Sequence, residues 1–163
     1  MSTPRRHVFI SHRFVDDGSV ENLTGMLSRG GWDVRNSSIR VKEANQQRLE
    51  RGQVADRTLE RLLRRKISWS QTALVIVGTS THASRWVQYE IEEAHRQGKA
   101  IVGVYARGCT DVQLPEALER YATSIVAWNT SSIMAAIDGT KPIFQTAGGD
   151  EREPQSDVAR RTC

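Results

Sequence analysis

The chain has 163 residues, a net charge of +4 and two cysteines. This length suits one domain with its own hydrophobic core, and so few cysteines exclude a fold built on a disulfide framework. No apolar run is long enough to cross a bilayer, and the basic start, MSTPRRHVFIS, lacks the apolar segment of a secretory signal. We therefore expect a cytoplasmic protein without membrane contact, in which Cys109 is a structural or free thiol and no metal is bound.

The excess of basic residues does not indicate a nucleic-acid partner. These residues are dispersed and form no stripe interleaved with aromatic side chains. Many fall in RLERGQVADRTLERLLRRK, where Glu60 precedes Arg64 by about one helical turn. Pairs with this spacing are typical of a solvated helix face.

The first half of the chain predicts two strands and two helices. HVFIS (His7–Ser11) is a short buried strand, and WDVRN (Trp32–Asn36) is a second one. Between them lies a helix that ends at Gly30 and Gly31, while SSIRVKEANQQ has no regular period and predicts a loop. The buried face of this first helix is marked by Val20, Leu23 and Leu27. A longer amphipathic helix runs from about Leu49 to Ile67, with a stripe formed by Ala55, Leu59, Leu62, Leu63 and Ile67.

The second half predicts three more strands. TALVIVG (Thr72–Gly78) is apolar throughout, as expected of a central parallel strand buried on both faces. A polar loop leads to a helix that runs from about Ser84 or Arg85 to Gln97, which Gly98 ends, and then to the apolar strand KAIVGVY (Lys99–Tyr105). The remaining elements are a short helix in LPEALERY with Pro115 at its start, a strand in TSIVAW (Thr123–Trp128) and a helix in SSIMAAID.

Strands and helices thus alternate along the chain, which indicates an α/β fold with a parallel sheet. The expected architecture is flavodoxin-like, with five parallel strands in the order 2-1-3-4-5 and helices on both faces. We place this domain at residues 1–139. Residues 140–163 are polar and contain glycine and proline, which predicts a largely disordered tail.

Glu90 has an unusual position on the Arg85–Gln97 helix. At 100° per residue, Val87, Ile91 and Ala94 face the sheet, Glu92 and Glu93 point away, and Glu90 falls at the edge of the apolar stripe. It also lies in the first turns of a helix that follows a central strand, near the crevice where open α/β sheets bind ligands. A half-desolvated carboxylate suits glycosidic-bond cleavage, whose transition state resembles an oxocarbenium ion. The alternative is a simple ion pair with an arginine at the helix edge.

HVFISH, the following DD, KISWSQTALVIVGTSTHASRWVQYEIEEA and GKAIVGVY together resemble TIR domains. The closest resemblance is to the TIR-like branch of bacterial Thoeris antiviral defence systems, and it extends from about His7 to Ile137. It implies cleavage of the nicotinamide–ribose bond of NAD, with NAD as the substrate and no cofactor. The expected product is a cyclic or modified ADP-ribose that activates a separate effector protein. A phage-derived trigger and a homo-oligomer are further partners that it implies.

The resemblance also assigns residues to the site. Glu90 matches the catalytic glutamate and Trp86 the tryptophan of the same motif, although packing alone would also explain this tryptophan. The end of the first strand should line the nucleotide pocket with Phe9, Ser11 and His12. Further candidates for substrate binding are Arg13, Thr79, Ser80, His82 and Tyr105, each also explicable as an ordinary surface or loop residue. Beyond Asp16 and Asp17, the first loop offers no second acid.

Two other functions are compatible with this sequence. One is a non-catalytic TIR module that signals by assembling with other copies. The other is an enzyme like the nucleoside deoxyribosyltransferases, which would also use a glutamate on a flavodoxin-like fold. A phosphoacceptor receiver domain fits less well, because TALVIVG lacks an aspartate at its end.

Overall fold

A computed structural model describes residues 6–12, 17–36, 56–79, 81–106, 112–138 and 142–151. The strands are β1 (Arg6–Ser11), β2 (Trp32–Asn36), β3 (Thr72–Val77), β4 (Ala100–Tyr105) and β5 (Ser124–Val126). The helices are α1 (Asp17–Arg29), α2 (Asp56–Trp69), α3 (Arg85–Arg96), α4 (Glu116–Tyr121) and α5 (Thr130–Asp138), with a short 3-10 turn at Thr81–Ala83 between β3 and α3. The predicted loop SSIRVKEANQQ lies outside the described residues.

The five strands form one parallel sheet in the order β2-β1-β3-β4-β5. This confirms the predicted flavodoxin-like arrangement. All six residues of β3 are buried, as their apolar sequence predicted, because β3 lies between β1 and β4 and both of its faces are covered.

Each face of the sheet has its own hydrophobic core. Side chains alternate along β1, so that Phe9 faces the side covered by α2, α3 and α4, while Val8 and Ile10 face α1 and α5. The buried face of α1 is formed by Val20, Leu23 and Leu27, as predicted. The two cores fix the sheet between two helical layers, and the layer of α2, α3 and α4 carries the candidate site.

Helix α2 only partly follows the predicted apolar stripe. Leu63 and Ile67 are buried, but Leu62 is 42% exposed, so its place in the stripe was wrong. Leu62 is offset by 100° from Leu63, and α2 buries a narrower face than the prediction assumed. Glu60 and Arg64 form the expected pair, with 3.8 Å between their charged atoms. The predicted start of this helix at about Leu49, Ala55 and the side chain of Leu59 lie outside what is described.

Helix α3 has well-defined ends that its sequence predicted. Ser84 is the N-cap, and its hydroxyl oxygen accepts a hydrogen bond from the backbone N–H of Val87 at 3.3 Å. Gly98 follows the helix with a φ of +74°, a left-handed conformation that favours glycine. These two ends define where the helix starts and stops between β3 and β4.

Part of the predicted tail lies against the sheet. The backbone N–H of Ile125 in β5 donates to the carbonyl of Ile143 at 2.8 Å, and the N–H of Gln145 donates to the carbonyl of Ile125 at 2.7 Å. Residues 143–145 therefore pair with the free edge of β5, and Gln145 forms a further bridge with Glu151. The predicted boundary after Gly139, and the disorder predicted for the end of the chain, concern residues outside the described ranges.

No helix within the described ranges is both long enough and apolar enough to span a membrane.

Candidate active site

Glu90 is buried in the middle of α3. It is 5% exposed, and its Oε2 atom has no hydrogen-bond partner among the described residues. A buried carboxylate oxygen without a partner is costly, because it has lost its contacts with water and gained none in exchange. This unsatisfied oxygen distinguishes Glu90 from Glu93 on the same helix, whose two carboxylate oxygens both accept hydrogen bonds.

The end of β1 places a hydroxyl next to this carboxyl group. Ser11 follows Phe9 by two residues, so its side chain points to the same face of the sheet, toward α2 and α3. Ser11 is 1% exposed, and its Oγ also has no hydrogen-bond partner of good geometry among the described residues. The carboxyl of Glu90 and the hydroxyl of Ser11 thus form a buried polar pair that lacks full hydrogen bonding.

Burial determines the protonation of Glu90. Desolvation raises the pKa of this carboxyl to about 8, whereas the nearby Ser11 hydroxyl and the charge of Lys66 lower it by less. Because Ser11 Oγ lacks hydrogen-bond geometry, its influence is that of a neighbouring dipole. At neutral pH the side chain of Glu90 is therefore mostly protonated in the protein without ligand.

The predicted exposure of Glu93 was wrong. The helical periodicity placed Glu93 away from the core, but its side chain is 4% exposed, about as buried as that of Glu90. The reason is α2, which packs along this flank of α3 and covers it. Glu93 is fully paired: Arg96 Nη1 donates to its Oε2 at 2.7 Å, and Gln97 Nε2 donates to its Oε1 at 3.1 Å. Glu92 is exposed, as predicted.

Trp86 lies one turn before Glu90 and is half-buried. Its ring meets the ring of Tyr89 edge-to-face, with 5.9 Å between centroids, and the Arg85 guanidinium lies 4.9 Å from the centre of the Trp86 ring. Trp86 also packs against the core beneath α3. These contacts give it a packing role and leave its contact with a substrate as a prediction.

The other candidates lie at several places around this edge. Phe9 is fully buried in the core, and Tyr105 is 5% exposed at the end of β4, within the same core. In the loop after β3, Thr79 is exposed, whereas His82 has a buried Nδ1 without a hydrogen-bond partner among the described residues. His12 is half-buried directly after β1. Arg13 and Ser80 lie outside the described residues.

The sequence did not point to Lys66, which the spacing assigned to a solvated helix face. It is half-buried in the last turn of α2, and its charge acts on Glu90. Its position depends on how α2 docks against α3, which no local pattern reveals. Thr81 was missed for a similar reason. It is fully buried and accepts a hydrogen bond from the N–H of Gly78 at 2.8 Å, which holds the turn before α3.

This arrangement has a specific chemical capacity. A dry carboxyl with an unsatisfied oxygen can accept a hydrogen bond from a sugar hydroxyl and, once ionised, can stabilise positive charge that develops beside it. Among the described residues, the cation that acts on Glu90 is Lys66, so the alternative of an arginine partner at the helix edge finds no support there.

The chain also resembles known proteins. The structure of the CMP N-glycosidase BcmB from Clostridium botulinum matches with a TM-score of 0.51 and 16% identity, over 82% of this chain and 99% of that one. The TIR domains of the activated Roq1 resistosome, which recognises the pathogen effector XopQ, match with a TM-score of 0.43 and 19% identity, over 61% of this chain and 57% of that one. The first of these similarities supports the fold.

A comparison with curated proteins finds no significant match. The model of the Thoeris protein ThsB, TIR-like domain, in contrast, matches residues 9–111, a span of more than half of the chain that includes Ser11, Lys66 and Glu90. The chain therefore belongs to the family of Thoeris ThsB TIR-like domains.

Proposed function

We propose that this protein cleaves the nicotinamide–ribose bond of NAD and that Glu90 is its catalytic residue. One observation carries the proposal: within the motif Trp-Val-x-x-Glu, Glu90 is 5% exposed and its Oε2 has no hydrogen-bond partner among the described residues. Glu93 on the same helix is equally buried but fully paired. The carboxyl that belongs to the motif is thus the one left available for a ligand.

The chemistry of NAD suits such a group. The nicotinamide ring of NAD is already cationic, so it leaves with the electron pair of the broken C–N bond and needs no proton from the enzyme. Positive charge then develops on the ribose, and the Glu90 carboxylate stabilises it. Burial strengthens this attraction, because little water screens it.

The raised pKa of Glu90 is compatible with this role. A carboxyl with a pKa of about 8 holds a proton in the free protein at neutral pH, which lowers the cost of its burial. A cationic nicotinamide ring next to Glu90 favours the charged form. Binding of NAD should therefore ionise Glu90 and release a proton as the site fills.

The product depends on which nucleophile attacks the ribose. A group within the same molecule would give a cyclic ADP-ribose, and water would give linear ADP-ribose. Exclusion of water favours the cyclic product, and the burial of Ser11 and Glu90 supports this choice. We propose a cyclic or otherwise modified ADP-ribose that activates a partner effector in defence against phage. We also propose that a phage-derived trigger or self-association switches the enzyme on.

Two other substrate classes should be tested beside NAD. BcmB is a CMP N-glycosidase, so one alternative substrate is a pyrimidine nucleotide. Deoxynucleosides are the other, because they are the substrates of the nucleoside deoxyribosyltransferases that the sequence also suggested. All three reactions break an N-glycosidic bond, but among these substrates only NAD carries a base that is already cationic before the bond breaks.

A panel of substrates tests the proposal. The purified protein is incubated separately with NAD, CMP and deoxynucleosides, with and without an extract of phage-infected cells, and the released base and products are identified by mass spectrometry. We expect nicotinamide from NAD together with an ADP-ribose product. Release of cytosine from CMP, or exchange between deoxynucleosides, would replace the proposal with another glycosidic reaction. Ordered assemblies without any base release would favour the assembly module.

A further inference from the structure

The turn between β3 and α3 is closed by one buried hydroxyl group. Thr81 is fully buried, and its Oγ1 accepts a hydrogen bond from the backbone N–H of Gly78 at 2.8 Å and donates one to the carbonyl of Ile76 at 3.4 Å. Gly78 directly follows β3 and is itself buried, so its N–H depends on a protein partner. The hydroxyl of Thr81 therefore binds the turn to the carboxyl end of the central strand.

The backbone of Thr81 also holds the start of α3. The N–H of Ser84 donates to the carbonyl of Thr81 at 3.0 Å. Ser84 is the N-cap of α3: its hydroxyl oxygen accepts from the N–H of Val87 at 3.3 Å, and its carbonyl accepts from the N–H of Gln88 at 3.2 Å. A continuous set of hydrogen bonds thus runs from the end of β3 through Thr81 and Ser84 into the first turn of α3.

The position of the Glu90 carboxyl depends on where α3 lies. Its Oε2 has no hydrogen-bond partner among the described residues, so the backbone of α3 and the packing around it determine where this oxygen points. Val87 and Ile91 pack the helix onto the sheet through their apolar side chains, and such contacts are not directional. The hydrogen bonds of Thr81 and Ser84 are directional, and they connect the first turn of α3 to the end of β3.

We propose that Thr81 is a positioning residue for the reaction of Glu90: its hydroxyl holds the turn before α3 and thereby sets where the Glu90 carboxyl meets the ribose. This inference rests on the proposed cleavage of NAD. Reactions of bound substrates are sensitive to placement, and a displacement of about 1 Å can cost about a hundredfold in rate. The structural part, that the Thr81 hydroxyl orders the first turn of α3, can be measured without any substrate.

Thr123 offers a matched control at the opposite edge of the sheet. It directly precedes β5 and is half-buried, and its hydroxyl accepts from the N–H of Ile101 at 3.2 Å and donates to the carbonyl of Ile101 at 2.8 Å. Thr81 and Thr123 thus bind the backbone in the same way, one beyond the carboxyl end of β3 and the other near the amino end of β4. Replacement by valine removes these hydrogen bonds at either position while nearly keeping the shape of the side chain.

The test compares the wild type with Thr81→Val, with Thr81→Ser, which keeps the hydroxyl, and with Thr123→Val. A fourth variant, Ser84→Ala, breaks the next link at a half-buried position. Nicotinamide release from NAD is measured with and without an extract of phage-infected cells, and kcat and KM are determined at equal concentrations of folded protein. Thermal unfolding gives the Tm of each variant. Hydrogen exchange of backbone amides is followed by NMR in the absence of NAD.

In Thr81→Val we expect kcat to fall by about ten- to hundredfold while KM stays within several-fold of the wild type, because the contacts of NAD away from Glu90 are retained. The amides of Val87 and Gln88 should exchange at least about tenfold faster. Ser84→Ala should show the same changes to a smaller extent. Thr81→Ser should follow the wild type in both measurements, and Thr123→Val should lower the Tm without changing kcat.

Each part of the inference has its own contradicting result. Unchanged exchange of Val87 and Gln88 in Thr81→Val would overturn the structural part. A kcat in Thr81→Val that matches that of the wild type or of Thr123→Val would overturn the positioning role. Should Thr81→Val not fold, a wild-type kcat in Ser84→Ala would overturn that role instead. A wild type that releases no nicotinamide under either condition would reject the proposed function, while hydrogen exchange would still decide the structural part.

Discussion

Replacing Glu90 by glutamine should stabilise the protein in alkali but hardly at all in acid. Burial raises the pKa of Glu90 from 4.5 to about 8, so between these values the native protein holds a proton that the unfolded chain has lost. The stability associated with this proton is fully present below about pH 4.5 and is lost as the pH rises through about 8. Glutamine does not titrate, so Glu90→Gln escapes this loss.

The size of the effect follows from the same two pKa values. A difference of one pKa unit corresponds to about 1.4 kcal/mol. The difference between the unfolded and native pKa values of Glu90 therefore limits the gain in the free energy of unfolding to about 5 kcal/mol. Water that enters around the ionised carboxylate would reduce this number, so a gain of about 2 to 5 kcal/mol is expected at about pH 9. At about pH 5 the gain should be below about 1 kcal/mol, because the native protein then retains most of the stability associated with this proton.

Urea unfolding at about pH 5, 7 and 9 measures this effect. The informative quantity is the difference in the free energy of unfolding between variant and wild type at each pH, because the titration of all other groups largely cancels. Glu93→Gln is the matched control: it weakens the contact with Arg96 and should destabilise the protein by about 1 to 3 kcal/mol at neutral and alkaline pH. A difference for Glu90→Gln that is the same at all three values of pH would refute the claim that Glu90 is desolvated.

Three further predictions concern activity and packing. The kcat/KM for NAD should rise with pH through about 8, because kcat/KM reports the free protein and the reaction needs the Glu90 carboxylate. The rise in kcat should occur at lower pH, because bound nicotinamide favours the charged form of Glu90. A kcat/KM that falls over this range would instead make Glu90 a general acid. Ser11→Ala should change the free energy of unfolding by less than about 1 kcal/mol, because Ser11 Oγ has no hydrogen-bond partner to lose among the described residues, yet it should slow NAD cleavage; a large loss of stability in urea would contradict this. Gly103→Ala should destabilise by about 1 to 3 kcal/mol, measured as a lower Tm, because its new methyl group would lie 2.9 Å from Leu118 Cδ2 in a filled core; an unchanged Tm would contradict the packing of α4 on β4.

The sequence predicted the sheet because its signals there are local. The unbroken apolar run of β3 marks a strand buried on both faces, and Ser84 and Gly98 mark the ends of α3. These features depend on neighbours along the chain. The exposure of Leu62 shows the limit of such reasoning, because the width of the buried face of α2 depends on the helix and strands that it contacts.

The site could be predicted only in part for the same reason. The position of Glu90 at the edge of an apolar stripe indicated its burial. The same helical periodicity, however, wrongly placed Glu93 in solvent. Burial of Glu93 and the influence of Lys66 both arise where α2 docks against α3, between residues that are far apart in sequence. The pairing of Ser11 with Glu90 likewise depends on the alternation of β1 and the placement of α3 above it.

Glu90 itself, and not merely any buried acid on α3, should break the glycosidic bond of NAD. The most direct measurement is nicotinamide release from NAD by the wild type, Glu90→Gln and Glu93→Gln at equal concentrations of folded protein, each with and without an extract of phage-infected cells. We predict that Glu90→Gln loses at least about a hundredfold in rate, whereas Glu93→Gln remains within several-fold of the wild type. Nicotinamide release by Glu90→Gln at the rate of the wild type would contradict the assignment of Glu90 as the catalytic residue.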